Sequence, residues 1–493
     1  MTRERVGLLA GAAAFCLVAM LNSGGYRYGV GDQAFYVPAV VQHLNSDLFP
    51  RDRLLLHAQD RFMVLDDIAA GLTETSGISI PVLFFGAYLL GAVLLFGGLV
   101  TIGRTMYRSW WTVAMLAALL TLRHRITQTG ANTLESYFHP RMLAFAFGAW
   151  AIATYLRGKG GVSLVLVMLA CAMHPTTGLW FGVWIVVALA VSETRWRAPL
   201  IALCAATAAF GVWAVSFGPL RGHLDHMDAA WASVLAGKDY IFPSDWGAAF
   251  WVVNFGYLAV AGAIYDMRRR RGLTPPCELG LLIGAVSLAV LFLVSWPMMS
   301  AGIALALQLQ TSRIFWMLDL LASIYLAWLL AEAPPAPIGR AIVMVTIALA
   351  LVRGVYVMRA EHGGDPIVRI GLPENNWMDA MHWIARTNFK THVLADPGHA
   401  WKYGESVRVA GERDVFLEEV KDTAVALYSR DVAMWVLGRI QDAQDFDALT
   451  PEQFQALATR YDLDYLVVDR DVALPLAYRN RQFRIYQLRR STP

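Results

Sequence analysis

The stretch YGVGDQAFYVPAVVQHL, from Tyr28 to Leu44, begins a long polar connection between the first two apolar segments of the chain. The connection runs from residue 23 to residue 80 and carries Asp32 near its start. Connections of this length are usually functional or disordered, but this one repeats apolar residues at helical spacing between Leu65 and Leu72. We therefore predict short helices that lie along the membrane surface and bring Asp32 back to the mouths of the spans.

Apolar residues dominate the composition and indicate the class of protein. Of the 493 residues, 57% are hydrophobic and 16% are charged, whereas an average soluble domain carries about 25% charged residues. Long uncharged runs recur from the N-terminus to about residue 356. These features predict an α-helical polytopic membrane protein surrounded by membrane lipids. The net charge of +3 is too small to indicate a nucleic-acid partner.

Eleven segments are apolar enough to be predicted as membrane spans. The first also has the flanks of a signal peptide; we predict an uncleaved span, and either reading leaves Asp32 on the same side. The fifth and sixth are short, and Pro175 between them would also fit one broken helix. The predicted spans are 6–22, 81–101, 109–122, 141–156, 162–175, 177–191, 198–217, 246–265, 278–296, 313–331 and 340–356.

Basic residues are concentrated in alternate connections between the spans. The N-terminus with Arg3 is basic, and so are the connections with Arg104, Arg157 and Arg268. Because basic connections stay in the cytoplasm, the N-terminus is predicted to be cytoplasmic. The long polar loops and the C-terminal region then face outward. We expect an integral protein of a bacterial inner membrane, with its C-terminal domain periplasmic or extracellular.

Residues 357–493 differ in character from residues 1–356, which we predict as the transmembrane domain with the outer loop 23–80. Apolar runs become short in this C-terminal region, and charged residues become frequent. THVLADPG, YDLDYLVVDR and FRIYQL are typical of buried strands, and helical spacing precedes the first two. This alternation predicts a soluble α/β domain on the outer side.

Several kinds of site are excluded by what the sequence lacks. The four cysteines, which lie in or beside apolar segments, do not indicate a disulfide or a cysteine-based zinc site. No glycine-rich nucleotide-binding motif occurs, which argues against an ATP-driven pump. The sequence therefore indicates no particular cofactor, and a divalent cation is kept as a candidate.

Asp32 allows two interpretations. It follows Gly31 and precedes an apolar helical run, as a helix N-cap does. Its position just outside the first span also suits a general base, which must reach the attacking hydroxyl of an acceptor. Both interpretations follow from the same residues.

A second group of polar residues occurs in LESYFHPRMLAF, Leu134 to Phe145, at the outer mouth of the fourth span. Glu135, His139 and Arg141 are expected to converge there. Arg141 would snorkel to lipid headgroups or would hold a phosphate or diphosphate with its planar guanidinium.

Further candidates lie at the same surface. His174 ends the fifth segment and is either a structural hydrogen-bonding residue or part of a substrate cavity with Glu135, Tyr36 and Arg51. Arg313 stands at the outer mouth of the tenth span, in the same arrangement as Arg141.

A divalent cation could be held by Asp32, Glu135, His139 and His174 together. Carboxylate and imidazole groups are suitable ligands, but no recognised ligand spacing supports this alternative.

The chain resembles the GT-C superfamily of integral-membrane glycosyltransferases, which take sugars from lipid-phosphate donors. Tyr28 to Leu44 matches the start of the first outer loop of that family, with Asp32 at the position of its acidic residue. Helices along the membrane and an outer soluble domain are also features of the family. The resemblance implies a GT-C-like fold over nearly the whole chain.

The resemblance also implies a mechanism. A polyprenyl-phosphate-linked sugar would be held through its phosphate by Arg141, Arg313 and His139. Asp32 would take the proton from a hydroxyl of the acceptor, an envelope glycan, lipid or protein. A single displacement on the outer face would invert the anomeric centre while transferring a hexosyl or pentosyl group.

Two other functions fit the sequence. Many family members carry paired acidic residues where this chain has Asp32 and Gln33, so a binding protein without catalysis is one alternative. A transporter of lipids or lipid-linked sugars is the other. A transporter should carry polar residues deep within its spans, and here they concentrate at the outer mouths, apart from a few such as Asp319.

Overall fold

The structure, a computed structural model, describes residues 3–60 and 63–489 and is mostly helical. Sixteen helices precede the C-terminal domain in the described part of the chain. They are α1 Arg3–Ser23, α2 Gln33–Leu44, α3 Arg53–Asp60, α4 Leu65–Ser76, α5 Ile80–Met106, α6 Trp110–Thr121, α7 Pro140–Leu156, α8 Gly160–Met173, α9 Pro175–Ser192, α10 Thr194–Ser216, α11 Ala229–Leu235, α12 Ala248–Arg270, α13 Pro276–Ser300, α14 Ala304–Gln308, α15 Ile314–Ala331 and α16 Ala336–Tyr356.

Each of the eleven predicted spans coincides with a helix, and the protein is an integral membrane protein. Eight of the helical segments described are long and apolar enough to cross a membrane, by length and composition. Helices α6, α7 and α8 are shorter, with 12, 17 and 14 residues. The number of eleven spans therefore stays a prediction. The fifth and sixth segments form two helices, since α9 begins at Pro175, where the missing N–H of proline costs no hydrogen bond.

Helix α15 lies at the centre of the membrane bundle. It is buried along nearly its whole length and contacts α6, α12 and α16. Large side chains such as Trp316 and Trp328 are almost inaccessible. The residues that precede α15 therefore lie at one end of a central helix, among the ends of the other helices.

The outer loop folds into the predicted short helices. Helices α2, α3 and α4 occupy most of it. Strand β1, Tyr26–Arg27, pairs in parallel with β4, Val368–Arg369, which follows the last membrane helix. The only other strands before β4 in the described chain are β2 Arg125–Ile126 and β3 Ala131–Asn132, which form a short antiparallel pair.

The C-terminal region is the predicted α/β domain. Its sheet has the order β6-β5-β7-β9-β8, in which β6, β5 and β7 are parallel and β9 and β8 are antiparallel. All three predicted strands are confirmed, as β5, β7 and β9. The elements are α17 Asn376–Ala385, β5 His392–Ala395, α18 His399–Lys402, α19 Val407–Ala410, β6 Asp414–Val415, α20 Glu419–Val425, α21 Arg430–Asp442, α22 Pro451–Tyr461, β7 Tyr465–Val468, β8 Leu476–Arg479 and β9 Arg484–Gln487.

A buried ion network attaches this domain to the outer loop. The guanidinium of Arg408 donates from Nε to Asp52 at 2.7 Å and from Nη1 and Nη2 to Asp422 at 2.7 and 3.0 Å. Asp52 belongs to the outer loop, whereas Asp422 lies on α20. The network therefore holds α20 against the loop that carries Asp32.

Candidate active site

Asp32 is positioned by a close approach of the backbone. Gly31 has φ of +61°, and a Cβ there would lie 2.4 Å from the ring of Tyr137, so only glycine fits. Asp32 is the N-cap residue of α2, but its side chain makes no capping hydrogen bond. The structure therefore contradicts the interpretation of Asp32 as a capping side chain.

Both carboxylate oxygens of Asp32 have partners. Oδ2 lies 3.1 Å from Nε2 of His139, and Oδ1 lies 2.8 Å from Nζ of Lys421, on α20. Burial alone would raise the pKa of Asp32, but Lys421, His139 and Arg141 outweigh it and hold the pKa well below its usual range. Asp32 is thus an ionised carboxylate at neutral pH.

His139 is a neutral donor to that carboxylate. It is the N-cap of α7, and its Nδ1 accepts the backbone N–H of Arg141 at 3.1 Å. Since Nδ1 accepts, the proton sits on Nε2, which donates to Asp32. Burial and the neighbouring Arg141 lower the pKa of His139 to about 3. The ring therefore orients Asp32 without adding a charge.

Glu135 and Arg141 converge as the sequence predicts, but they bind each other. Arg141 is 4% exposed, its Nη2 bonds Glu135, and its Nη1 donates to the Gly130 carbonyl at 3.2 Å. Arg123 lies 3.8 Å from the same carboxylate. This burial contradicts snorkelling to headgroups, and the charge of Arg141 is compensated.

Arg313 presents a different case at the start of α15. A left-handed residue, Gln310 with φ of +49°, turns the chain from α14 toward α15. The Arg313 side chain is 9% exposed, and its Nε is buried without a hydrogen-bond partner. Among the described residues it forms no ion pair. Such a cation is costly unless an anion joins it.

Two cavities meet at Asp32. The first, which we call the basic cavity, has a volume of about 210 Å³. The second, the rim cavity, has a volume of about 470 Å³ and lies between the outer loops and the C-terminal domain. Asp32, Arg141 and Lys421 line both cavities. Polar residues that line the basic cavity alone are Tyr36, His139, His174, Lys238, Tyr240, Gln310, Arg313 and Tyr428.

The basic cavity carries an excess of positive charge. Lys421 is paired with Asp32, and Arg141 is paired with Glu135. Lys238 donates to the carbonyl of Val420 at 2.9 Å and, like Arg313, forms no ion pair with any described residue. With the histidines neutral, Arg313 and Lys238 are left without a carboxylate partner in the described part of the chain.

The remaining predicted residues are divided between this site and other places. His174 lines the basic cavity and also caps α9, accepting the N–H of Thr177 at 3.3 Å. Tyr36 lines the same cavity, with its hydroxyl 3.5 Å from Nε2 of His139. Arg51 lines neither cavity; its side chain bonds Asp462 and the Lys390 carbonyl.

The described residues contain no group of three or more His, Cys, Asp or Glu side chains that could hold a metal ion. Arg141 forms an ion pair with Glu135, and Lys421 and His139 both bind the carboxylate of Asp32. The four predicted ligands therefore do not form a cation site together.

A larger apolar cavity of about 760 Å³ lies elsewhere, between α1, α5, α6 and α16. Among the described residues that line it, Glu4, at the N-terminal end of α1, is the one with a charge. It offers neither the base nor the cations that distinguish the two cavities at Asp32.

Sequence reasoning missed Lys238, Lys421 and Trp401. The first two belong to the walls of the basic cavity, and Trp401 lines the rim cavity. Asp32 and Lys421 are 389 positions apart, and no sequence pattern relates them. The stretch DPGHAWKY, Asp396 to Tyr403, contains Trp401 and follows a predicted strand, but from the sequence it fits a turn without further role better than a ligand-facing loop.

No protein-family model matches the sequence, and no curated protein matches it. Solved structures do resemble its fold. The apo oligosaccharyltransferase of Archaeoglobus fulgidus matches with a TM-score of 0.50 and 11% identity, over 94% of this chain and 69% of that chain. Arabinofuranosyltransferase AftD from Mycobacteria matches with a TM-score of 0.49 and 17% identity. The match covers 99% of this chain and 40% of that chain, so this chain spans under half of AftD.

A further match is AglB from Archaeoglobus fulgidus in complex with an inhibitory peptide and a dolichol-phosphate. Its TM-score is 0.47 at 11% identity, over 95% of this chain and 70% of that chain. At such identities a likeness concerns the fold alone. With its helical membrane bundle, outer loop helices and C-terminal α/β domain, the chain has a GT-C-like fold.

Proposed function

We propose that the protein is a membrane glycosyltransferase that moves a sugar from a polyprenyl-phosphate donor to an envelope acceptor. The observation that carries the proposal is the position of Asp32. Its ionised carboxylate lines both the basic cavity, which contains Arg313 and Lys238, and the larger rim cavity, which has room for an acceptor. The likeness to the oligosaccharyltransferase fold supports the same class of reaction.

The basic cavity would hold the donor phosphate. Arg313 and Lys238 have no carboxylate partner among the residues that the structure describes, and a phosphate or diphosphate would bind both. When the bond between sugar and phosphate breaks, negative charge accumulates on the leaving phosphate. Fixed cations stabilise that charge more in the transition state than in the ground state, and this difference accelerates the reaction. Arg141 and His139 complete the wall beside the phosphate.

The acceptor hydroxyl would enter from the rim cavity. Its oxygen attacks the anomeric carbon, the bond from that carbon to the phosphate oxygen breaks, and the hydroxyl proton passes to Asp32. The attack comes from the face opposite the phosphate, so the configuration inverts. The N–H of His139 keeps the carboxylate directed at the boundary between the cavities.

Lys421 would couple the two substrates. While it binds Asp32, it weakens that carboxylate as a base, because it stabilises the charged form. A phosphate in the basic cavity offers Lys421 a second anion. Donor binding would thus loosen the Lys421–Asp32 pair and make Asp32 more basic when the acceptor arrives.

The test is replacement of Asp32 by asparagine in the native host after deletion of the gene. Asp32→Asn keeps the size of the side chain and removes the base. We expect wild type to restore an envelope glycan, and the equally abundant variant to leave it absent while a lipid-linked sugar accumulates, both measured by mass spectrometry. Asp67→Asn is the matched control, because Asp67 lies in the same outer loop but is 65% exposed and pairs with His43.

Equal glycan profiles for wild type and Asp32→Asn would refute the catalytic role of Asp32. A binding protein with a GT-C-like fold, or a transporter, would then explain the site better.

A further inference from the structure

We propose that the rim cavity binds a carbohydrate acceptor and that Trp401 is its stacking surface. The inference rests on the proposed function and names the chemical class of the acceptor. It is carried by three features of the cavity: an exposed indole, a buried carboxylate oxygen without a partner, and direct contact with Asp32.

Trp401 is unusually exposed for its surroundings. Its side chain is 71% exposed and lines the rim cavity. The other exposed tryptophans of the described chain lie on membrane helices, where hydrocarbon or headgroups cover them. They are Trp110 and Trp111 on α6, Trp213 on α10 and Trp296 on α13. Trp401 belongs instead to the short helix α18, which follows β5 in the C-terminal domain.

The segment that carries Trp401 is anchored on both sides. The buried His399 donates from Nδ1 to the Asp396 carbonyl at 2.8 Å and accepts the N–H of Val407 at Nε2, at 3.2 Å. Lys402 forms an ion pair with Asp396. These contacts hold α18 in place, so that binding to the indole costs little ordering of this segment.

Glu418 supplies a hydrogen-bonding group in the same cavity. It is 1% exposed, and its Oε2 accepts from Ser406, but its Oε1 is buried without a partner. Burial raises the pKa of Glu418 to about 7. A buried polar atom left unpaired costs free energy that a ligand hydroxyl would recover.

These groups match a sugar. One face of a sugar ring carries C–H bonds, which fit the electron-rich face of an indole, and its hydroxyls can donate to carboxylates. Asp32, Glu135 and Glu418 all line the cavity. The cavity therefore combines one flat apolar surface with several acceptors of O–H donors. One hydroxyl of a sugar stacked on Trp401 would be delivered to Asp32.

The test measures binding of defined saccharides to the full chain in lipid nanodiscs by saturation-transfer difference NMR. The probes are linear hexasaccharides of mannose, glucose, N-acetylglucosamine and arabinofuranose, with an uncharged hexapeptide as the comparison ligand. We expect at least one saccharide to bind, Trp401→Ala to weaken it about tenfold, and Trp401→Phe to restore most of the affinity. Phe389→Ala, which removes another exposed aromatic residue of the C-terminal domain, should change nothing.

Other outcomes overturn the inference. They are binding of none of the saccharides, binding of the peptide alone, or equal saccharide affinity in wild type and Trp401→Ala. The proposed function can fail separately: if Asp32→Asn supports a normal glycan profile while saccharides still require Trp401, the carbohydrate site stands without the transferase. If sugar transfer depends on Asp32 but only the peptide binds, the proposed transferase activity is supported and the proposed carbohydrate acceptor is refuted.

Discussion

Two buried arginines, Arg408 and Arg313, show how differently this protein treats charge in its interior. Arg408 is 1% exposed and has carboxylates on both sides, from Asp52 and Asp422. Arg313 is 9% exposed and has no carboxylate partner among the described residues. The first cation joins two parts of the fold, whereas the second lines a cavity.

The comparison separates structural from functional charge. Removing one member of a buried ion network leaves the others uncompensated, which destabilises the fold. A buried cation without a partner already destabilises the fold in the absence of ligand. Replacing this cation with an uncharged side chain should therefore not reduce stability. Stability and activity should therefore respond in opposite ways at the two sites.

The largest effect is expected from Arg408→Met. Asp52 and Asp422 would stay buried without their cation, so the free energy of unfolding should fall by ~3–5 kcal/mol. Thermal unfolding of the purified protein in nanodiscs measures the change. Arg430→Met is the control, because Arg430 forms a half-exposed pair with Asp228, and exposed ion pairs contribute little to stability. Equal losses for the two variants would break the comparison.

Arg313→Met should have the opposite pattern. We expect the midpoint of thermal unfolding to stay unchanged or to rise, because an uncompensated buried charge is removed. Glycosyl transfer in the complementation assay should fall by roughly 10²–10³-fold, as for the loss of a group that stabilises transition-state charge. A variant as unstable as Arg408→Met would show that Arg313 is structural.

The smallest effect is a shift in pH dependence from Lys421→Met. The ammonium stabilises the ionised form of Asp32, so its removal should raise the pKa of that carboxylate. Transfer requires the deprotonated form, and the acid limb of the pH–activity profile should therefore move to higher pH. Lys390→Met, outside both cavities, is the control. An unmoved acid limb would mean that Asp32 is not the group whose ionisation limits activity.

Local sequence patterns predicted the elements of the fold well. All eleven apolar segments are helices, and the three predicted C-terminal strands form the centre of the sheet. Hydrophobic periodicity decides such elements within a few turns of chain. The patterns missed β6 and β8, since β6 is a two-residue strand and β8 is mostly exposed.

The candidate site was only partly predictable. Asp32, His139, Arg141 and Arg313 were placed at one surface because each stands at the outer end of a predicted span. Glu135 lies beside Arg141 and not beside Arg313, so Arg141 has a carboxylate partner and Arg313 has none among the described residues. Spacing along the chain does not predict this difference. Arg51 was assigned to the cavity but bonds the C-terminal domain instead.

The sequence alone determined that this is a helical membrane protein with an acidic residue beyond its first span and an α/β domain at its C-terminus. These properties depend on apolar length and periodicity, which are local. Only the tertiary structure decided which charges remain uncompensated, which lysine binds Asp32, and that Trp401 stands over the second cavity. Such relations join side chains hundreds of residues apart, and only the packing of the C-terminal domain onto the membrane helices brings them together.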